Sequence, residues 1–127
     1  ILAAAGLYAL EHQVRRLADD HQHAAMLQQG LMAQAEAFGL SDLFQPAPVQ
    51  SNILFCDLAP EFAAFYQQQL QQQGILCTAG SYQSADGQRC RLRFVTHLDV
   101  SLAQIQHVIA VGQQVLAQYS RNISADL

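Results

Sequence analysis

The chain has 127 residues, a formal net charge of -4, and 51% apolar against 13% charged residues. That suits one compact domain and excludes a disordered acidic tail. With no basic surplus to neutralise phosphates, nucleic acid is not an expected partner. All six basic side chains are arginines and lysine is absent, so these residues cannot complete a Schiff base through a lysine amine.

The first residue is Ile1 rather than methionine, and the sequence reads as a piece of a longer chain. Its apolar start, residues 1–10, is too short to span a bilayer, which takes roughly 20 residues. No basic stretch precedes it to make a secretory signal, and no membrane partner is expected. From Leu10 the apolar residues Val14, Leu17, Ala24, Leu31, Ala35 and Phe38 follow in 4-3-4-3 spacing, with His21 and Gln28 filling the gaps. This predicts one long amphipathic helix, or two joined by a bend, over residues 2–38. About 36 helical residues measure roughly 54 Å. That is more than a domain of this size can cover, so part of the helix is expected to pack on another domain or subunit.

Gly39, Ser41, Asp42, Pro46 and Pro48 end the helix and make a loop. Val49–Leu58 reads as a strand, apolar on both faces and so expected to be covered on both. Pro60 and Glu61 open a helix whose buried stripe is Phe62, Phe65, Tyr66 and Leu70. Gly74 stops it, and Ile75–Cys77 begin a short strand. Gly80–Gly87 is expected to be a polar loop. The strand Arg89–His97 alternates, with Cys90, Leu92 and Phe94 on one face and Arg89, Arg91 and Arg93 on the other. Ser101 caps a last helix, with Gln104 in capping-box position. The order α-β-α-β-β-α predicts an α+β fold: a three-stranded, mainly antiparallel sheet with the last strand in its middle and helices on one face.

Three cysteines (Cys56, Cys77, Cys90) make an odd count without a C-x-x-C pair, which reads as small buried hydrophobes in a reducing, cytoplasmic setting. His21 and His23 point about 200° apart on a helix, and no metal site is expected. The sequence contains no G-x-S-x-G, G-x-G-x-x-G or P-loop. What remains is the arginine ladder. It is either a solvated face that discourages strand aggregation or an anion site, since a guanidinium holds a carboxylate through two parallel hydrogen bonds.

Three segments carry a family resemblance. Residues 91–101, RLRFVTHLDVS, resemble the R-L-V-T-H-L-D-V-S segment near the end of low-specificity L-threonine aldolases. Residues 2–10, LAAAGLYAL, resemble the segment that follows that family's catalytic lysine region, and residues 49–58, VQSNILFCDL, resemble its Q-T-N-M-(V/L)-F-V strand. The resemblance implies the C-terminal domain of a fold-type I, aminotransferase-like enzyme using pyridoxal phosphate to cleave threonine or allo-threonine to glycine and an aldehyde. It implies a connector helix over residues 1–38 and a small α+β domain over 39–127. The Schiff-base lysine and the cofactor-binding groups would lie upstream, leaving no catalytic, cofactor-binding or metal residue in this chain. Arg93 aligns with the family arginine that binds the substrate α-carboxylate; Arg89 and Arg91 do not, and stay solvated-face residues, while His97 takes a structural role at the strand end. The whole enzyme would be a cytoplasmic homo-oligomer, with a tetramer favoured. Two other readings stand beside this one: the same domain from a related lyase (phenylserine aldolase or a β-eliminating enzyme), or a non-catalytic α+β module that binds ligands or partners.

Overall fold

Alternation in the arginine-rich segment divides the molecule into a dry side and a wet side. Leu92 and Phe94 are buried whereas Arg91 and Arg93 are exposed, as a period of two requires of a strand packed on one face. The computed structural model describes residues 1–126. Its elements are α1 (Leu2–His12), α2 (Leu17–Ala37), β1 (Phe44–Pro46), β2 (Ile53–Leu58), α3 (Pro60–Gln72), β3 (Thr78–Ser84), β4 (Gly87–Val95) and α4 (Leu102–Ala125). The strands form one antiparallel sheet in the order β1-β2-β4-β3. Against its apolar face pack Leu27 and Leu31 of α2, Phe62, Tyr66 and Leu70 of α3, and Ile105, Val111 and Leu116 of α4. This is the expected α+β arrangement, with β4 inside the sheet and the helices on one face.

The sheet has four strands rather than three. Residues 80–87, expected to be a loop, are mostly strand: β3 pairs with β4 from Thr78↔Arg93 to Ser84↔Gly87, leaving two residues to turn the hairpin. Gly87 takes a φ of 119° at that turn, where a side chain would be strained. β3 lies at the sheet edge and is largely exposed, so backbone hydrogen bonds hold it and no apolar period marks it. Ile75–Cys77, expected to be a strand, is instead the irregular lead into β3. The strand expected over Val49–Leu58 begins only at Ile53, and Phe44–Pro46 of the expected loop adds the edge strand β1. Leu54, Cys56 and Leu58 are buried, while Phe55 on the opposite face is 38% exposed. β2 is therefore covered on one face, not two.

The amphipathic stretch at the start is two helices. Between them the backbone stays helical but tightens: the amides of Leu17, Ala18 and Asp19 bond to the carbonyls of Val14, Arg15 and Arg16, three residues back, a 3₁₀ pattern. From Ala24 onward α2 packs closely on α4. A Cβ on Gly112 would stand 3.0 Å from Gln34 Oε1 and 3.1 Å from Leu31 Cδ2, so a side chain here would have to push those two groups aside by a few tenths of an ångström. Gln34 Nε2 donates to the Ile109 carbonyl at 2.7 Å across the same contact. The capping box of Ser101 and Gln104 opens α4 as expected.

α1, by contrast, buries no residue, and Leu2, Leu7, Tyr8 and Leu10 are all more than half exposed. Contiguous apolar exposure of this kind drives association. Deleting residues 1–12 from the 127-residue chain is therefore expected to reduce its self-association and its binding of the dye ANS. The urea midpoint should hardly move, because α1 contributes no core. Sedimentation velocity and dye fluorescence check the first part, and a denaturation curve the second.

Candidate functional site: the arginine face

β4 presents Arg89, Arg91 and Arg93 on the face turned away from the helices. The flanking strands decide what each one meets. On the β2 side Phe55 lies opposite Arg93 and Asp57 opposite Arg91; on the β3 side the partners of Arg93, Arg91 and Arg89 are Thr78, Gly80 and Tyr82.

Arg91 is held on three sides. Its Nε donates to Asp57 Oδ1 at 2.8 Å and its Nη2 to Oδ2 at 3.0 Å, a bidentate fork. Its guanidinium carbon lies 4.7 Å from the Tyr82 ring centroid and 5.5 Å from that of Phe55, within cation–π range. The hydrogen bond from Arg91 holds the Asp57 carboxyl below the usual carboxylate range, and the same bond raises the Arg91 pKa. Arg89 reaches two backbone carbonyls, those of Asp42 and Asp57, both at 3.4 Å. The two rungs expected to be merely solvated are thus engaged by the protein's own oxygens.

Arg93 differs. Among the described residues it has no ion pair and no side-chain hydrogen bond. It lines an open cleft of about 300 Å³ with Leu76, Cys77, Thr78, Val95 and His97. Burial pushes the Cys77 thiol up to about 11, so at neutral pH this wall is a thiol and not a nucleophile. His97 Nδ1 accepts the Asp99 amide at 3.3 Å, which braces the turn between β4 and α4. What the cleft offers chemically is one guanidinium fork without an internal acceptor, beside Leu76, Cys77 and Val95 as well as the polar Thr78 and His97, a group able to form two parallel hydrogen bonds to an anion.

A second group of side chains anchors this end of β4. Asn52 Nδ2 donates to the Thr96 carbonyl at 2.8 Å, and the Thr96 amide to the Asn52 carbonyl at 2.9 Å. The buried Thr96 hydroxyl donates to the Asp20 carbonyl at 2.6 Å. The buried Asp20 carboxylate in turn accepts from Arg16 Nη1 at 3.1 and 3.2 Å. The threonine and asparagine of the two motifs therefore tie the strand that carries Arg93 to α2. Reading the sequence missed Asp57, Asn52, Thr96 and Asp20 in these roles. For Asp57 a signal existed, since it is the lone acid in β2 and shares the strand face of Phe55, but its partner depends on cross-strand register. Among the described residues no group of three or more His, Cys, Asp and Glu side chains could hold a metal ion. Nor is any of their helices long and apolar enough to cross a membrane.

The Asp57–Arg91 pair has a stability signature. The folded-state pKa of Asp57 is depressed, so its contribution is present above the unfolded carboxylate pKa of about 4 and is lost as pH falls through the lower folded value. Asp57→Asn is expected to flatten the dependence of the urea midpoint on pH below about 4, with little effect on its shape from pH 6 to 8. Urea titrations of both proteins from pH 2 to 8 check this; parallel curves throughout would contradict it.

Over 118 residues the chain is 33% identical to the low-specificity L-threonine aldolases of Escherichia coli K12 and O157:H7. The match covers 93% of the chain and 30% of each relative, in its C-terminal part. The chain thus spans under a third of the length of the curated relatives it matches. No protein-family model matches it. Among solved structures, Sphingomonas wittichii serine palmitoyltransferase superposes with a TM-score of 0.72 at 18% identity, over 93% of this chain and 28% of that one. Francisella tularensis 8-amino-7-oxononanoate synthase gives 0.50 at 22%, over 92% and 32%. These two establish the fold alone. The resemblance carried by the three motifs is borne out along nearly the whole chain.

Proposed function

From a chain similar over nearly its whole length to the C-terminal part of low-specificity L-threonine aldolases, we propose the small domain of an enzyme that cleaves L-threonine and L-allo-threonine to glycine and acetaldehyde. In this reading residues 1–38 connect it to a large domain and residues 39–127 form the small one. The protein works in the cytoplasm as a homo-oligomer, with a tetramer favoured.

Pyridoxal phosphate, which such an enzyme uses through a lysine, does not fit the residues of this chain on their own, since the sequence has no lysine amine to hold it. The part assigned to these residues is therefore confined to the substrate. Arg93 takes the α-carboxylate in its fork. Val95 beside it and Phe55 across the strand keep one side of that contact apolar, which strengthens a charge-assisted hydrogen bond by lowering the local dielectric. Thr96 and Asn52 fix the strand end so that the fork points consistently.

The observation that carries the reading is that Arg93, which aligns with the family arginine of the longest motif, has neither an ion pair nor a side-chain hydrogen bond among the described residues and lines an open cleft. The test is to supply the full-length protein that carries this chain with L-threonine and L-allo-threonine, and to follow acetaldehyde with an NADH-coupled alcohol dehydrogenase. Glycine and acetaldehyde in equal amounts are expected, with none from the 127-residue chain alone. Turnover of phenylserine or β-elimination substrates without threonine cleavage would move the chain to a neighbouring lyase. No turnover of any amino acid would leave a binding module.

A further inference from the structure

The arginine face carries three guanidinium groups but one ion pair, between Arg91 and Asp57; Arg89 reaches only backbone carbonyls, and Arg93 stands open. Arg91 and Arg93 are two residues apart on one strand face, about 7 Å between Cα atoms at 3.4 Å per residue. The Arg91 guanidinium stands between the rings of Tyr82, at 4.7 Å, and Phe55, at 5.5 Å, the latter directly opposite Arg93, so it is one rung from the cleft on the same exposed face. Both forks could therefore close on one small dicarboxylate. What prevents it is Asp57, whose two oxygens already occupy the Arg91 fork at 2.8 and 3.0 Å. Tyr82 stacks on the same guanidinium and steadies it in that position.

We propose that Asp57 is a specificity-determining residue: it neutralises Arg91 from within, so that the cleft takes amino acids with one carboxylate and rejects those with two. The inference rests on the assignment of Arg93 to the α-carboxylate. It goes beyond that assignment by naming what the neighbouring rung must not bind. In wild type, Arg93 meets the α-carboxylate while the Arg91–Asp57 pair presents a locally neutral, stacked surface to whatever the substrate carries at Cβ. Replacing Asp57 by asparagine keeps the size and one acceptor, removes the charge, and frees at least one arm of the Arg91 fork for an external anion.

The experiment measures binding of L-alanine and L-aspartate, which differ by one carboxylate at Cβ, to the full-length protein by isothermal titration calorimetry. Wild type should bind alanine at least as well as aspartate. In Asp57→Asn the aspartate-to-alanine affinity ratio should rise at least about tenfold, the increment one charge-assisted hydrogen bond supplies. In the double variant Asp57→Asn/Arg91→Gln it should fall back, since Arg91 is the group released. Arg91→Gln alone strands the Asp57 charge beside the cleft and should weaken both ligands, aspartate more. That single variant keeps the test decisive if Asp57→Asn folds poorly. An unchanged ratio in Asp57→Asn, or a wild type that already prefers aspartate, overturns the proposal. If Arg93→Ala leaves alanine binding intact, it is the carboxylate assignment itself that fails, a result separable from the other two.

Discussion

Arg93→Ala is expected to lower kcat/KM of the full-length protein for L-threonine by about 10- to 100-fold. The change leaves an α-carboxylate without its fork in a partly apolar cleft, and hydrogen bonds to charged groups are worth roughly 1.5–3 kcal/mol, at 1.4 kcal/mol per factor of ten. Arg93→Lys should recover only part of the loss, because an ammonium is a point charge and cannot reproduce two parallel bonds. Folding should be unaffected, since Arg93 is exposed and bonded to none of the described side chains. Arg89→Ala is the control: its two contacts, at 3.4 Å to backbone carbonyls, are long, and their loss should be mild. Arg91→Ala is a poorer control, since it unpairs Asp57. Steady-state kinetics with threonine decide the matter. Wild-type efficiency in Arg93→Ala, with a collapse in Arg89→Ala, would move the carboxylate site to another rung.

Phe62→Ala is expected to destabilise the domain by about 3–5 kcal/mol, the range for truncating a buried phenylalanine. The ring is fully buried and stands where three elements meet. Its centroid is 6.1 Å from that of Phe44 on β1, 5.5 Å from Tyr66 on its own helix, and 4.6 Å from Tyr119 on α4. The Phe44 and Tyr119 contacts are edge-on, the geometry the ring quadrupole favours. Removing the ring opens a cavity that a helix, a strand and a second helix would all have to shift to fill. Domains of this size are stable by about 5–15 kcal/mol in total, so the loss is a large fraction of the whole. Phe62→Leu should retain most of the stability because it keeps much of the volume. Urea denaturation followed by circular dichroism measures both variants. A cost under about 1 kcal/mol for the alanine variant would mean that the aromatic cluster does not carry the helix–sheet contact.

Periodicity and capping chemistry are local, and what they specify was legible from the residues alone. The helix of Phe62, Tyr66 and Leu70 starts at Pro60, the capping box opens α4 at Ser101, and β4 has an arginine face and an apolar face. The absence of lysine by itself excludes a Schiff base formed by these residues, and the resemblance at residues 91–101 is what points to Arg93.

Other features depend on which strands become neighbours. β3 is held by backbone bonds at an exposed edge, so its polar sequence carries no period to read, and it passes for a loop. The turn at residues 13–16 tightens the helix without a proline or glycine to announce it. Most of all, Arg91 and Arg93 are equivalent in their alternation, two successive outward positions of one strand. They differ because register sets Asp57 opposite the first and Phe55 opposite the second. Only the pairing of β2 with β4, separated in the chain by a helix and a third strand, brings that acid to one guanidinium and leaves the other without a partner among the described residues.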